Sequence, residues 1–483
     1  QSFNIFTTAE NMMNKKLITL AVAAAVAAPA VAMAEATLYG RLGASLDYED
    51  ISNSIPPTIN GTQTFAPGTL VVDYAADGSP IYNTAQTTRT GIRLNENGQV
   101  IPLAQGVDFT GWGANQQGLL EGAGPSNRVG VKGSEDLGNG LKAIYQLEFG
   151  INFGDNNIPG GANGGVSIRN SFVGLAGGFG TVLLGRHDTP LKISTGKLDL
   201  FSDTMADYNG TVGFDDIRAD NAFAYISPSF SGFSFMGAVV SSGGGTAGEG
   251  NNINSDQIAG AYSLAAIYNN GPFYASAAYE SLNSEMFMNS TTSLEGAAAC
   301  VDADGMPMPS CGFVGDDYNK WRFGLGLLDW NGFSLTAIYE NQDNRAAGQQ
   351  WTTYNVITAD GESFGALTPN GVDDQQLWQV QAGYAFGNNM FKAMYGSVDR
   401  GDTRFLGSTR DEGATSIAGL SRALSNDLTG DRNTWAVGFD HNFSKRTQAY
   451  VLYTEVDDDN SGGSYNTYDQ GWSGFSLGMV HKF

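Results

Sequence analysis

Polar and apolar side chains alternate along many stretches of the chain, and the first clear example is Thr37–Tyr48. Leu38 and Leu46 fall on one face of an extended chain there, and Arg41 and Asp47 fall on the other. Alternation with a period of two predicts a β-strand that has one apolar and one polar face. Many of these stretches approach the length of about ten residues that a tilted strand needs to cross a lipid bilayer.

Short turns alternate with long polar loops between the sixteen strands that this pattern predicts. Asn269–Gly271 and Asn331–Gly332 are two of the turns, and their residues accept the positive φ of a tight hairpin. The longest loop is the first external one, 49–125. This asymmetry is typical of outer-membrane barrels, whereas a soluble β-sandwich usually has strands of about five or six residues. Residues 35–483 are therefore predicted to be all-β, as a 16-stranded antiparallel transmembrane β-barrel.

The segment 188–220 does not alternate like a strand, although it follows a strand hairpin. Its ionisable residues are the acids Asp188, Asp199, Asp203, Asp207, Asp215, Asp216 and Asp220 and the bases Lys192, Lys197 and Arg218. A structureless loop of this length in a compact fold is usually functional. We therefore expect this third external loop to fold into the barrel and to form the constriction of a pore.

Residues 1–34 have the pattern of a processing segment. Lys15–Lys16 precedes the apolar run Leu17–Val31, and Ala32–Ala34 fits the cleavage site of a secretory signal peptide. We predict that this signal is removed, and that residues 1–11 are an upstream extension. A transmembrane helix is the alternative, but the apolar run is short for one.

The composition agrees with a barrel in which only alternate residues face lipid. Glycine occurs 65 times, aromatic residues make up 11% and charged residues 15% of the chain, and the net charge is −24. The acidic excess argues against a nucleic-acid partner. It also favours a mild preference of the pore for cations.

The two cysteines, Cys300 and Cys311, lie in one predicted loop. In an exported protein they are expected to form a disulfide. A metal site is the alternative, but the histidines that it would need, His187, His441 and His481, are distant in sequence. We therefore predict no metal and no cofactor.

The same three histidines do not suggest a catalytic site. Nucleophilic catalysis needs a nucleophile, a base and an orienting group within reach of each other. We predict that the protein is not an enzyme, although hydrolysis that uses aspartates alone stays an open alternative.

Several stretches at both ends and in the middle of the chain match a known pattern. They are Thr37–Gly40, Ser126–Phe149, Ser171–Arg186, Asp220–Phe235, Ser444–Thr447 and the terminal Phe483. Together they resemble the Gram-negative general porins, the trimeric sixteen-stranded type of neisserial and burkholderial relatives. The resemblance implies a homotrimer in the bacterial outer membrane, exported through the periplasm and surrounded by lipid and lipopolysaccharide. Each subunit would form a water-filled pore for passive diffusion of small hydrophilic solutes and ions.

The resemblance also implies that basic residues of the barrel wall face acids of the third loop. By motif position the basic candidates are Arg41, Arg128, Lys132 and Arg186, and the acidic candidates are Asp199, Asp203 and Asp207. Alternation alone places the first three bases on the polar face, and it leaves the register of Arg186 ambiguous. The chain departs from the family at Ala224, where many relatives carry a wall arginine, and in its long first loop.

Two other functions remain open beside general diffusion. One is a substrate-specific channel, in which an aromatic slide would favour sugars and an arginine ladder would favour phosphate. The other is a barrel whose enlarged external loops bind a ligand or a surface. Neither a slide nor a ladder is evident in the sequence, so general diffusion is the leading prediction.

Overall fold

The structure is a computed structural model of the chain. It describes residues 36–55, 60–69, 71–74, 79–93, 107–115, 127–151, 166–240, 259–282, 317–343, 352–357, 363–368, 374–400, 407–408, 431–458 and 471–483. The expected signal peptide, both cysteines and much of the first external loop lie outside the described residues.

These residues form 25 β-strands and two short helices. In chain order the strands are β1 (Thr37–Ile55), β2 (Asn60–Phe65), β3 (Val71–Tyr74), β4 (Pro80–Tyr82), β5 (Thr87–Arg93), β6 (Val107–Asn115), β7 (Arg128–Gly138), β8 (Leu141–Ile151), β9 (Val166–Ile168), β10 (Ser171–Gly177), β11 (Gly180–Asp188), β12 (Arg218–Ile226), β13 (Phe233–Val240), β14 (Ala261–Asn270), β15 (Phe273–Leu282), β16 (Tyr318–Trp330), β17 (Phe333–Asp343), β18 (Thr352–Ile357), β19 (Ser363–Thr368), β20 (Gln375–Phe386), β21 (Asn389–Arg400), β22 (Gly407–Ser408), β23 (Asp431–Asn442), β24 (Thr447–Asp458) and β25 (Trp472–Lys482). The helices are α1 (Pro190–Thr195) and α2 (Tyr208–Thr211). Neither helix has the length and apolar character needed to span a membrane.

Sixteen of the strands form one closed antiparallel barrel. In order around the wall they are β1, β7, β8, β10–β17, β20, β21 and β23–β25. The last strand pairs with the first, from Arg41 opposite Lys482 to Ile51 opposite Trp472, and this pairing closes the wall. The predicted 16-stranded antiparallel barrel is confirmed.

The wall has two different faces, as the alternation predicts. On β1 the apolar side chains of Leu38 and Leu46 are 57% and 46% exposed, whereas Arg41 and Asp47 are 7% and 1% exposed. An apolar outer belt and a polar interior are what lipid on one side and water on the other require of a barrel. We call these two sides the apolar face and the polar face.

The second wall strand is built from two pieces. β7 pairs with Thr37–Arg41 of β1, and β6 pairs with Ser45–Ile51 of the same β1 edge. β6 and β7 both run antiparallel to β1, so they act as two halves of one strand that residues 116–127 interrupt. β1 continues to Ile55 beside β6, beyond its predicted end at Tyr48, and β6 lies within the range predicted for the first external loop. Glycines at 111 and 113 had weakened the alternation by which β6 could have been recognised.

Asn127 repairs the backbone pairing at this interruption. The Gly43 amide donates to Asn127 Oδ1 at 2.5 Å, and Asn127 Nδ2 donates to the Gly43 carbonyl oxygen at 3.0 Å. The Asn127 carbonyl also accepts from the Ile151 amide at 3.0 Å. The Asn127 side chain is buried, and its amide group takes the place of the peptide group that a continuous strand would present to Gly43.

Outside the barrel, a second sheet joins parts of three external loops. Its strand order is β2-β5-β18-β19-β22, and β3 pairs separately with β4. We call the five-stranded sheet the external sheet.

Candidate functional site

Residues 189–217 connect β11 to β12 and carry the predicted acids; we call them the 189–217 segment. The flanking strands extend further than expected, because Asp188 and Arg218 pair across them and form an ion pair at 3.0 Å. Thr189 caps α1 by accepting from the Lys192 amide, and Pro190 occupies its first turn, as is usual at helix starts. The segment is therefore locally ordered at its beginning.

Apolar side chains of the segment pack against the polar face of the wall. Leu198, Phe201 and Met205 are almost completely buried. Leu198 belongs to a cluster with Ile338 of β17, and Phe201 and Met205 belong to one with Ala436 of β23. Removing such side chains from water stabilises contact by about 1.5–3 kcal/mol for each side chain. The segment is thus bound to the wall along its length.

Six glycines of the wall make room for this packing, and we call them the glycine track. They are Gly324, Gly326, Gly383, Gly396, Gly438 and Gly474. A Cβ atom built on Gly396 would lie 2.6 Å from Val212 Cγ2, and one on Gly474 would overlap with the Met205 sulfur. Side chains of the segment therefore occupy the space that wall side chains would otherwise fill.

Two buried cations of β16 fasten the segment by charge. Arg322 forms an ion pair with Glu340, and its Nη1 lies 2.5 Å from Asp216 Oδ1 and donates to Thr195 Oγ1 at 3.1 Å. Lys320 lies 2.7 Å from Glu280 and also contacts Asp215. Arg322 and Lys320 are both fully buried. Arg322 thus holds the segment near its start and near its end at once.

Arg41 and Arg128 of the wall meet Asp203 of the segment. Arg41 Nη1 lies 2.8 Å and Arg128 Nη1 3.5 Å from Asp203 Oδ2. Asp203 adopts a positive φ of 58°, and its amide donates to Asp207 Oδ2 at 2.8 Å. Asp207 therefore supports the turn that presents Asp203 to the two arginines.

The other two basic candidates are placed differently. Lys132 lines the same cleft as Arg41 and Arg128, with its ammonium nitrogen 5.0 Å from the centre of the Tyr39 ring. Arg186 forms an ion pair with Asp220. Within the described part of the chain, Arg186 makes no ion pair with any of the three acidic candidates.

Glu148 and Arg169 extend the charged site beyond the residues predicted for it. Arg169 Nε lies 2.7 Å from Glu148 Oε1, and the Tyr39 hydroxyl donates to Glu148 Oε2 at 2.9 Å. Glu148 alternates with the exposed Leu147 and Phe149 of β8, so it lies on the polar face. Arg169 lies between β9 and β10, where the regular pattern breaks, so period alone could not assign its direction.

A continuous set of charges results, in which cations outnumber acids. The cations are Arg41, Arg128, Lys132, Arg169, Lys192 and Arg218, which we call the cationic cluster, and the acids between them are Glu148, Asp188 and Asp203. Asn170, which follows Arg169 in the chain, accepts from Arg218 Nε through its Oδ1 at 2.8 Å and donates to Asp188 through its Nδ2 at 2.9 Å.

Asp199 is buried and Asp207 is half-buried, and among the described residues neither forms an ion pair with the cationic cluster. Asp199 Oδ1 accepts from the Phe201 amide and from Gln381 Nε2, each at 2.9 Å. Burial raises the pKa of Asp199 to about 6. Burial and the neighbouring Asp199 carboxylate raise the pKa of Asp207 as well. Both carboxylates therefore hold backbone amides of the segment in place.

The raised pKa of Asp199 predicts that the segment is held more firmly in acid. The ordinary pKa is 3.8, so the contribution of the protonated group is complete below that pH and is lost as the pH rises through about 6. We expect fewer transient closures in single-channel recordings at pH 5 than at pH 8. Asp199→Asn should reduce this difference, and Asp399→Asn, at an exposed wall position, should preserve it. An unchanged pH dependence in Asp199→Asn would contradict the prediction.

Comparison with known proteins places the chain among outer-membrane channels. A model of the Gram-negative porin family matches residues 20–461. The major outer membrane protein P.IB of Neisseria gonorrhoeae is 27% identical over 444 residues, covering 91% of this chain and 92% of the relative. An outer membrane porin protein of Bordetella pertussis is 26% identical, covering 71% of this chain and 83% of the relative. The solved anion-selective porin from Comamonas acidovorans has a TM-score of 0.50 at 19% identity, covering 93% of this chain and 100% of that one.

Proposed function

Because the chain belongs to the Gram-negative porin family, we propose that its 189–217 segment folds into the lumen and forms the narrowest part of a pore. The protein is an outer-membrane porin, and its barrel lets small hydrophilic solutes and ions diffuse passively. The finer assignment concerns which residues set the size and the charge of the passage.

The observation that carries this assignment is the meeting of Arg41 and Arg128 with Asp203. The two arginines belong to the polar face of the first two wall strands, and Asp203 belongs to the segment. The segment also packs against wall strands from β14 to β25. A segment that contacts the polar face on so many strands narrows the water-filled space that this face encloses.

We propose a preference for anions, which reverses the expectation drawn from total charge. Charges beyond about 10 Å are largely screened at 0.1 M salt, so the acids of distant loops count little at the constriction. The cationic cluster lies there, with six cations against three acids. An excess of fixed positive charge on one part of the wall lowers the free energy of a passing anion and raises that of a cation.

The test is the reversal potential of single channels under a salt gradient. We expect the wild-type protein to favour chloride over potassium, and Arg169→Gln to lower that ratio because one cation of the cluster is lost. Lys445→Gln is the matched control, since it removes one positive charge from the exposed turn between β23 and β24. Cation preference in the wild type, or an equal effect of Lys445→Gln, would contradict the proposal.

We extend the proposal to a homotrimer with one pore per subunit, as the resemblance to general porins implies. Conductance should then appear in steps of three. Contact with lipopolysaccharide and the lack of an enzymatic activity stay predictions. Conductance that saturates with salt would instead favour a substrate-specific channel.

A further inference from the structure

The external sheet joins loops that leave the barrel at separate places. β2 and β5 belong to the first external loop, β18 and β19 to the loop between β17 and β20, and β22 to the loop between β21 and β23. β18 pairs in parallel with β5, at Val356 with Ile92 and Ile357 with Arg93. β19 pairs with β22 at Leu367 with Gly407. Backbone hydrogen bonds therefore tie three loops into one unit.

The positions of the loops around the wall determine where this unit lies. Four wall strands, β21 and β23–β25, separate β20 from β1. At about 4.8 Å between neighbouring strands, the roots of the two loops are at least roughly 24 Å apart along the rim. Paired strands such as β5 and β18 are only about 4.8 Å apart. The paired strands therefore bridge the two roots, and the straight line between two points of a closed rim crosses the mouth.

We propose that the external sheet is a second size filter, which bulky hydrophilic solutes such as oligosaccharides meet before they reach the constriction. The proposal rests on the pore function proposed above. Small ions and water pass around the sheet, so the 189–217 segment still limits their flow. Because the three loops share backbone hydrogen bonds, one loop cannot move aside without breaking pairs to another. The filter therefore has a defined cutoff, which flexible separate loops would lack.

The test uses neutral polyethylene glycols of graded size, added to one side of oriented channels in a planar bilayer. The variant lacks Thr352–Thr368, which removes the two strands that connect β5 to β22. We expect the largest polymer that enters from the external side to increase on the order of two-fold in mass, while the cutoff from the periplasmic side stays unchanged. Small-ion conductance should change little. The matched control is a variant that lacks residues 459–470 of another external loop.

Two results would overturn the size filter: an external cutoff that the Thr352–Thr368 deletion leaves unchanged, or an equal shift in the control. A wild-type protein that does not conduct would instead overturn the proposed pore function. Failure of the size filter and failure of the pore function are therefore distinguishable. A second variant keeps the test valid if the deletion does not fold. Ile92→Cys with Val356→Cys, in a background with Cys300 and Cys311 changed to serine, should form a disulfide and retain the wild-type cutoff. Failure to cross-link in a conducting channel would show that the external sheet does not form.

Discussion

Replacing Arg322 by methionine is expected to destabilise the folded barrel by about 3–5 kcal/mol, because removing one partner leaves buried charges without compensation. The Glu340 and Asp216 carboxylates are paired with the guanidinium, and their side chains are 0% and 5% exposed. The loss should appear as a lower midpoint of denaturant unfolding for the detergent-solubilised protein. The channel of this variant should close more often in single-channel recordings, because Thr195 and Asp216 of the segment lose their contacts to the Arg322 guanidinium.

A companion variant separates these two effects. Arg322→Met with Glu340→Met removes both charges of the wall pair, and replacing a buried pair by apolar side chains is often close to neutral. We expect most of the lost stability to return, while the frequent closures persist because Asp216 keeps only its hydrogen bonds to Tyr208 and Asn209 of the segment and no longer binds the wall through Arg322. If closures also return to the wild-type frequency, then Arg322 does not fasten the segment.

The second large effect is expected at Asn127, whose amide group completes the pairing of Gly43. In Asn127→Ala both the N–H and the carbonyl of Gly43 lose their partner, and each buried group left unpaired costs about 1–3 kcal/mol. The backbone of Gly43 would then have no hydrogen-bond partner at the point where the second wall strand is interrupted. We expect a lower unfolding midpoint and less protein that folds into the barrel from urea.

An exposed asparagine provides the comparison. Asn270 lies at the exposed end of β14. Asn270→Ala should change the free energy of unfolding by no more than about 0.5 kcal/mol. A loss at Asn127 no larger than this would mean that water or neighbouring backbone already satisfies Gly43.

The barrel could be predicted from sequence because lipid and water impose opposite requirements on neighbouring residues of a strand. This constraint is local, so Leu38 and Arg41 reveal their faces without any knowledge of their partners. β6 was missed because its glycines and its position next to an interruption disturb that local signal. Asn127 gave no signal either, since its role depends on Gly43, 84 positions earlier.

The candidate site could be predicted only in part, for a related reason. Motif position indicated Arg41, Arg128 and Asp203, which the structure brings together. Counting charges could not show that the Asp199 and Asp207 carboxylates accept hydrogen bonds from backbone amides of the segment. Arg186 lies apart from these acids, because a register shift between Gly185 and His187 interrupts the β11–β12 pairing and Arg186 pairs with Asp220.

The glycine track has a consequence for how pores of this kind can diverge. The glycines of the track set how closely the segment approaches the wall, because its side chains fill the space where a wall side chain would lie. None of these positions carries a charge. Adding single methyl groups at Gly326 or Gly438 would move the segment by small steps towards the centre of the passage. The width of the pore and its ion preference can therefore vary independently, through substitutions at different wall positions. If the segment forms the constriction as proposed, a designer of nanopores could adjust the bore along this track without altering the arginines of the cationic cluster.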